Sequence, residues 1–198
     1  MPSKPALLKA IENEVLALKQ SPLYSYRVKN GYFPVIGEGS LDAPLIFIGE
    51  APGKKEAETG RPFIGASGKV LDGLLASIKL KREEAYVTSV VKDRPPENRD
   101  PSPTEIALYA PFLIRQIELI KPRVIATLGR HAMACVLRHF DLEDSLAPIS
   151  ELHGRPLAVK APWGELTILP LYHPAAALYN GSLRATLLSD FERIRKFI

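Results

Sequence analysis

With 198 residues, 46% of them hydrophobic and 24% charged, the chain has room for one globular domain with a sizeable core; we read 1–198 as a single domain, with 1–34 as an N-terminal helix and extension. Lys and Arg (26) outnumber Asp and Glu (22), and the net charge of +4 permits a polyanionic partner without requiring one. The single Cys135 excludes an intrachain disulfide and a cysteine-only metal cluster, and the lack of a long apolar run or a signal-peptide core excludes a membrane span and predicts a soluble intracellular protein.

Leu7, Leu8, Ile11, Val15, Leu16 and Leu18 recur at helical spacing, which predicts an amphipathic helix from residue 4 to about 19, stopped by Ser21-Pro22. Residues 24–34 hold three tyrosines, a phenylalanine, Arg27 and Lys29. They read either as a loop with scattered aromatics or as part of a nucleic-acid rim. Leu45-Ile46-Phe47-Ile48 is a buried strand, and the stretch 49–68 after it is an irregular loop with five glycines, two prolines and three glutamates. So long a loop without structure of its own is uncommon.

A helix from about Ser67 to Lys79 follows, then a second buried strand, Ala85 to Val91, rich in branched and aromatic residues. Residues 92–101 form a charged, proline-broken loop. Ser102 or Thr104 caps a helix that runs to about Ile120. Val124–Leu128 is the third strand and Arg130–His139 the next helix, in which Cys135 reads as a small buried hydrophobe. Residues 150–165 suggest a hairpin or an irregular excursion. Leu166–Leu171 is the fourth strand, and a last helix covers roughly Leu183 to Phe197.

Strands alternating with helices imply a parallel sheet covered on both faces, and such sheets bind ligands beyond the carboxyl ends of their strands. The polar or His-bearing turns at 49–68, 92–101, 129–131 and 172–182 all fall there. Four weak motifs thereby become one candidate site. Neither Gly53-Lys54-Lys55 nor Gly68-Lys69-Val70 has the spacing of a phosphate loop, and His131, His139, His153 and His173 lack metal-ligand spacing. What remains is Glu50 and Glu56, His173, an exposed-looking Phe63, and the polar groups of Ser89 and Asn98. Those are the parts needed to stack and edge-bond a planar heterocycle and to steer a water.

Gly-Glu-Ala-Pro-Gly at 49–53, Thr-Gly-Arg-Pro-Phe-Ile-Gly at 59–65, Asn-Arg-Asp-Pro at 98–101 and His-Pro-Ala-Ala at 173–176 resemble the ordered motifs of the family-four uracil-DNA glycosylases, as does Arg-Gln-Ile-Glu-Leu-Ile-Lys-Pro at 115–122. The likeness spans about residues 35–195. It implies a three-layer α/β/α fold on a central four-stranded parallel sheet, and a monomeric bacterial or archaeal cytoplasmic enzyme of base excision repair. The reaction implied is hydrolysis of the N-glycosidic bond of a flipped-out deaminated base in single- or double-stranded DNA. Uracil is the first choice, with hypoxanthine or xanthine as alternatives.

Carried over by position, the resemblance implies that Phe63 stacks on the base, with Gly49, Ala51, Ser89 and Asn98 completing its pocket. Glu50 and Glu56 flank the attacking water or the sugar cation, and His173 bonds the departing base. Leu178 is the wedge, with Tyr179 beside it where relatives often carry arginine. Arg61, Ser67, Arg94, Arg99 and Arg184 contact DNA.

The chain departs from the family in two places. Family members hold an iron–sulfur cluster on four cysteines, whose matching positions here are Leu18, Ser21, Asp93 and Tyr109; none is a thiolate, so the expectation is no cluster, no metal and no cofactor, with apolar or hydrogen-bonded packing in its place. Ser89 also stands where the family places asparagine. A hydroxyl cannot offer the donor and acceptor of an amide together, which predicts weaker action on uracil or a different base. A catalytically weakened or inactive DNA- or damage-binding protein of the same fold, and lyase chemistry through Lys54 or Lys55, are the competing readings.

Overall fold

The computed structural model describes residues 2–198. The first helix is α1 (Lys4–Leu16), three residues shorter than its apolar spacing suggested; Leu18 still packs with its core side. Where a loop or rim was expected, the chain forms α2 (Pro22–Lys29), started by the Ser21 hydroxyl and a proline in the first turn. Its scattered aromatics hid the helical period.

Among the described residues six strands form one sheet: β1 (Glu38–Gly39), β2 (Leu45–Gly49), β3 (Tyr86–Ser89), β4 (Val124–Leu128), β5 (Leu157–Ala161) and β6 (Gly164–Leu171), in the order β1-β3-β2-β4-β6-β5. The expected four-stranded parallel core is its centre, β3-β2-β4-β6. Both antiparallel edges are corrections to a four-stranded sheet. β1 has only two residues, too few for a pattern, and β5 alternates exposed and half-buried positions as an edge does. The uncertain 150–165 region is therefore a short helix, α7 in chain order (Ile149–Leu152), followed by a β5–β6 hairpin.

The core strands are buried on both faces, hence their continuous apolar runs. Ile46, Ile48, Tyr86, Ile125 and Ile168 face one layer, made with α1, α5 (Pro103–Ile120) and α6 (Arg130–His139). Leu45, Phe47, Val87, Val124 and Leu169 alternate to the other face, against α4 (Ala66–Ser77) and α9 (Ser182–Ile194), where the Phe47 and Phe191 rings stack at 5.6 Å. No helix among the described residues is long and apolar enough to cross a membrane.

Two loops are more ordered than their composition predicts. The 49–68 stretch contains α3 (Lys54–Thr59), ended by Gly60 in the left-handed region, and α8 (Ala176–Tyr179) precedes α9. In the charged 92–101 loop, Lys92 and Asp93 are buried.

Asp93 anchors the N-terminal helices. Arg27 on α2, expected in an exposed loop, is instead buried; its Nη1 bonds both Asp93 oxygens at 3.1 and 3.0 Å, and its Nη2 donates to the Leu16 carbonyl at 2.7 Å. Tyr109 on α5 donates its one proton to Asp93 Oδ2 (2.6 Å), and its oxygen accepts from the Ser21 hydroxyl (3.0 Å). Burial pushes the Asp93 carboxyl up, and the Tyr109 and Arg27 bonds oppose that shift. The result is a closed polar network with no group left over.

Candidate active site

Beyond the carboxyl ends of the parallel strands lies a cavity of about 380 Å³ whose walls include Glu50, Glu56, Phe63, Ser89, Asn98 and His173. Glu50 follows β2, Ser89 and Asn98 come from the end of β3 and the loop after it, His173 follows β6, and Glu56 and Phe63 belong to the α3 stretch. Ala51, Ser67 and Arg99 also line it. Gly49 does not; it lies beneath the Phe63 ring.

Phe63 is only 8% exposed, a correction to its exposed-looking place in the sequence. A Cβ on Gly49 would come within 2.6 Å of the ring's Cζ, so only glycine lets the ring rest on the end of β2. Gly68 is constrained as tightly, since a Cβ there would meet the Phe63 carbonyl oxygen at 1.7 Å. Phe63 itself has φ +50°. Its ring also sits beside His173, with centroids 5.8 Å apart. The ring is a held wall of the cavity, not a free flap.

The His173 imidazole is largely withdrawn from water, which pushes its pKa down to about 4. Nδ1 accepts the Ala175 backbone N–H at 3.2 Å. A neutral ring whose Nδ1 is an acceptor carries its proton on Nε2, so His173 is a neutral donor at physiological pH.

The two glutamates differ. Glu56 Oε1 accepts the backbone N–H groups of Ile64 (2.9 Å) and Gly65 (2.7 Å), so it ties the loop that presents Phe63 to α3. Glu50 is half-buried and makes no such bond. Desolvation raises its carboxyl above the ordinary carboxylate value; His131, 3.8 Å away, opposes that shift, Asp100 adds to it and Arg130 opposes it. A carboxylate free of backbone bonds and held at raised pKa is suited to accept a proton.

His131, Asp100 and Arg130 were not foreseen as site residues. His131 Nε2 lies 3.4 Å from Asp100 Oδ2, and Arg130 bonds both Asp100 and His131. One signal pointed to them, since 98–101 and 129–131 were already placed at the strand ends. One donor atom each from Glu50, Asp100 and His131 lie within 4.8 Å of one another. Arg130 already engages two of the three, so a cation is present there as a guanidinium.

Ser89 is buried at the end of β3, and its carbonyl accepts from Lys92 Nζ at 2.6 Å. Lys92 Nζ also donates to Thr88 Oγ1 (2.7 Å) and Gln116 Oε1 (2.6 Å), and complete burial pushes the ammonium down to about 7. Three acceptors match three ammonium donors while desolvation favours the neutral amine. Asn98 lies on the rim, where its Oδ1 accepts from Arg94.

The expected DNA contacts divide. Arg61 is paired in a fork with Glu38 (2.9 and 2.8 Å) and Arg99 with Glu105 (2.8 and 2.6 Å), while Arg94 bonds Asn98 and Tyr32. Arg184 is exposed. Tyr179, 89% exposed, lines the cavity, whereas Leu178, 47% exposed, does not.

The residues at the four cluster positions do not fit an iron–sulfur cluster. Tyr109 bonds both Ser21 and Asp93, Arg27 neutralises the carboxylate, and Cys135 is elsewhere, on α6.

Residues 36–195 match the family model described as "Uracil DNA glycosylase superfamily". A type-4 uracil-DNA glycosylase of Archaeoglobus fulgidus is 43% identical over 185 residues, covering 93% of this chain and 89% of the relative. Type-4 uracil-DNA glycosylases of Sulfurisphaera tokodaii (41%, 96% of this chain and 84% of the relative) and Thermotoga maritima (37%, 100% and 98%) are similar along nearly their whole lengths.

Proposed function

Because the chain belongs to the uracil-DNA glycosylase superfamily, we propose that it acts as a monomer to hydrolyse the bond between a flipped-out uracil and its deoxyribose in DNA. The observation that carries this reading is one cavity that holds a fixed aromatic wall, a neutral histidine donor and an ionisable carboxylate without backbone bonds. The base lies on Phe63. As the C1′–N1 bond breaks, negative charge grows on the base, and His173 Nε2–H donates to its O2. A placed donor of this kind is worth about 10²–10³ in rate. Glu50 accepts a proton from the water whose oxygen bonds to C1′, and that proton ends on the departing base. Glu56 acts on the same step through the Phe63 loop.

Extrusion of a base costs a few kcal/mol, offset by stacking on Phe63 and by Tyr179 at the cavity mouth. The exposed Arg184 is better placed to meet phosphate than Arg61, Arg99 and Arg130, each of which is held by a carboxylate. Ser89 offers one hydroxyl to the base edge, and the Asn98 amide is the group able to supply a second bond. That pairing supports excision of hypoxanthine or xanthine alongside uracil. A panel of single- and double-stranded oligonucleotides carrying each base, with Ser89→Asn beside wild type, tests both points. Uracil excision by wild type is expected, with Ser89→Asn narrowing the range towards uracil. Tight binding without excision of any base would favour a damage-binding protein instead.

A further inference from the structure

Among the described residues six large apolar side chains are exposed: Leu7, Leu16, Val28, Phe33, Leu178 and Tyr179. Tyr179 belongs to the mouth of the cavity already described, and Leu178 precedes it on α8. Leu7 and Leu16 lie on α1, in the N-terminal layer. Phe33, 57% exposed, has no part in the reading so far. One exposed phenylalanine is ordinary on a protein surface, and its placement is what sets this one apart.

Its backbone is pinned from two sides. The Phe33 N–H donates to the Ala57 carbonyl on α3 at 2.8 Å, and its Cβ packs over Gly60. Val35, two residues on, lines the cavity, and so does Pro62, two residues beyond Gly60. Two residues of extended chain span at most about 7 Å, so two independent segments put Phe33 one short step outside the cavity wall. Lys29 and Lys55 supply exposed positive charge on the same two segments, Arg61 is held by Glu38, and Arg94 lies over the Tyr32 ring at 5.6 Å. The structure therefore has an exposed aromatic with nearby positive charge beside a base pocket, the pairing by which proteins hold single-stranded nucleic acid.

We propose that Phe33 is a stacking platform for the nucleobase next to the flipped one, so that the DNA strand crosses the site between Tyr179 and Phe33. The proposal rests on DNA being the substrate. Stacking accepts any base, because every base has an aromatic face, so this subsite adds affinity and not sequence preference.

The test uses Phe33→Ala and Phe33→Trp, both at an exposed position that leaves the core untouched. Single-stranded oligonucleotides carry 2-aminopurine on the 5′ or the 3′ side of a tetrahydrofuran abasic analogue, which leaves no base to excise. Wild type is expected to quench the probe on one side, Phe33→Ala to lose that quenching and Phe33→Trp to restore it. With uracil substrates, Phe33→Ala should raise KM roughly 5- to 150-fold, the range of base–aromatic stacking, with single-turnover kcat within about twofold. A substrate trimmed of its nucleotide on the quenched side should not distinguish the variants. Unchanged quenching and KM in Phe33→Ala would overturn the platform, as would an equal loss on the trimmed substrate. Failure of wild type to excise uracil would sink the proposed activity, while the abasic probe would still decide the fate of Phe33.

Discussion

For individual side chains, the division of labour in the cavity sets the kinetics of substitution. Glu50→Gln is expected to lower single-turnover kcat by about 10²–10⁴, the usual worth of a placed proton acceptor, with oligonucleotide binding little changed. His173→Ala should cost about 10²–10³ in kcat for want of the donor to O2. Since His173 is neutral above about pH 4, it contributes no limb near pH 6–7. The acid limb of kcat belongs to Glu50, whose ionised form works and whose pKa burial has raised, so activity falls with acidification at a pH above the ordinary carboxylate value. His131 holds that pKa down. A pH–rate profile of His131→Gln is therefore expected to show the acid limb moved to higher pH, and an unmoved limb would sever His131 from Glu50.

Between elements, the network of Arg27, Asp93, Tyr109 and Ser21 ties α1 and α2 to α5 and the 92–101 loop. Removing one partner strands a buried charge, so Arg27→Met should lose about 3–5 kcal/mol in urea denaturation. Pairing it with Asp93→Leu should recover much of the loss, because no uncompensated charge remains. The positions Ser21, Asp93 and Tyr109 were legible as a group through the resemblance, but the fourth member was not. Arg27 sits among aromatics in a stretch of mixed character, and only the turn of α2 directs it inward. Lys92-Asp93-Arg94 posed the same difficulty. A run of charges usually means a solvated loop, yet here the first two close buried networks and only Arg94 remains partly exposed.

On the scale of the whole molecule, the titration of buried bases shapes stability. The folded His173 pKa of about 4 lies below its ordinary 6.5, so its contribution is complete above 6.5 and is lost as pH falls through 4. Lys92 falls to about 7 from 10.5; between those values the unfolded chain binds more protons, and the free energy of unfolding rises with pH. Chemical denaturation across pH 6–10 is expected to show that slope in wild type and a flatter one in Lys92→Met.

The sequence by itself determined the parallel core, the helical layers and the convergence of four turns at one end of the sheet, because hydrophobic period and turn chemistry are written in neighbours along the chain. It also supplied Glu50, Phe63 and His173 as a set through their motifs. Tertiary structure alone decided the two antiparallel edges, the binding of Glu56 to the Phe63 loop, and the gathering of His131, Asp100 and Arg130 around Glu50. Those outcomes depend on groups far apart in the chain, such as Arg27 and Asp93 at a separation of 66 residues. Whether a charge is paired, desolvated or free depends on what the fold brings against it, and no local pattern records that.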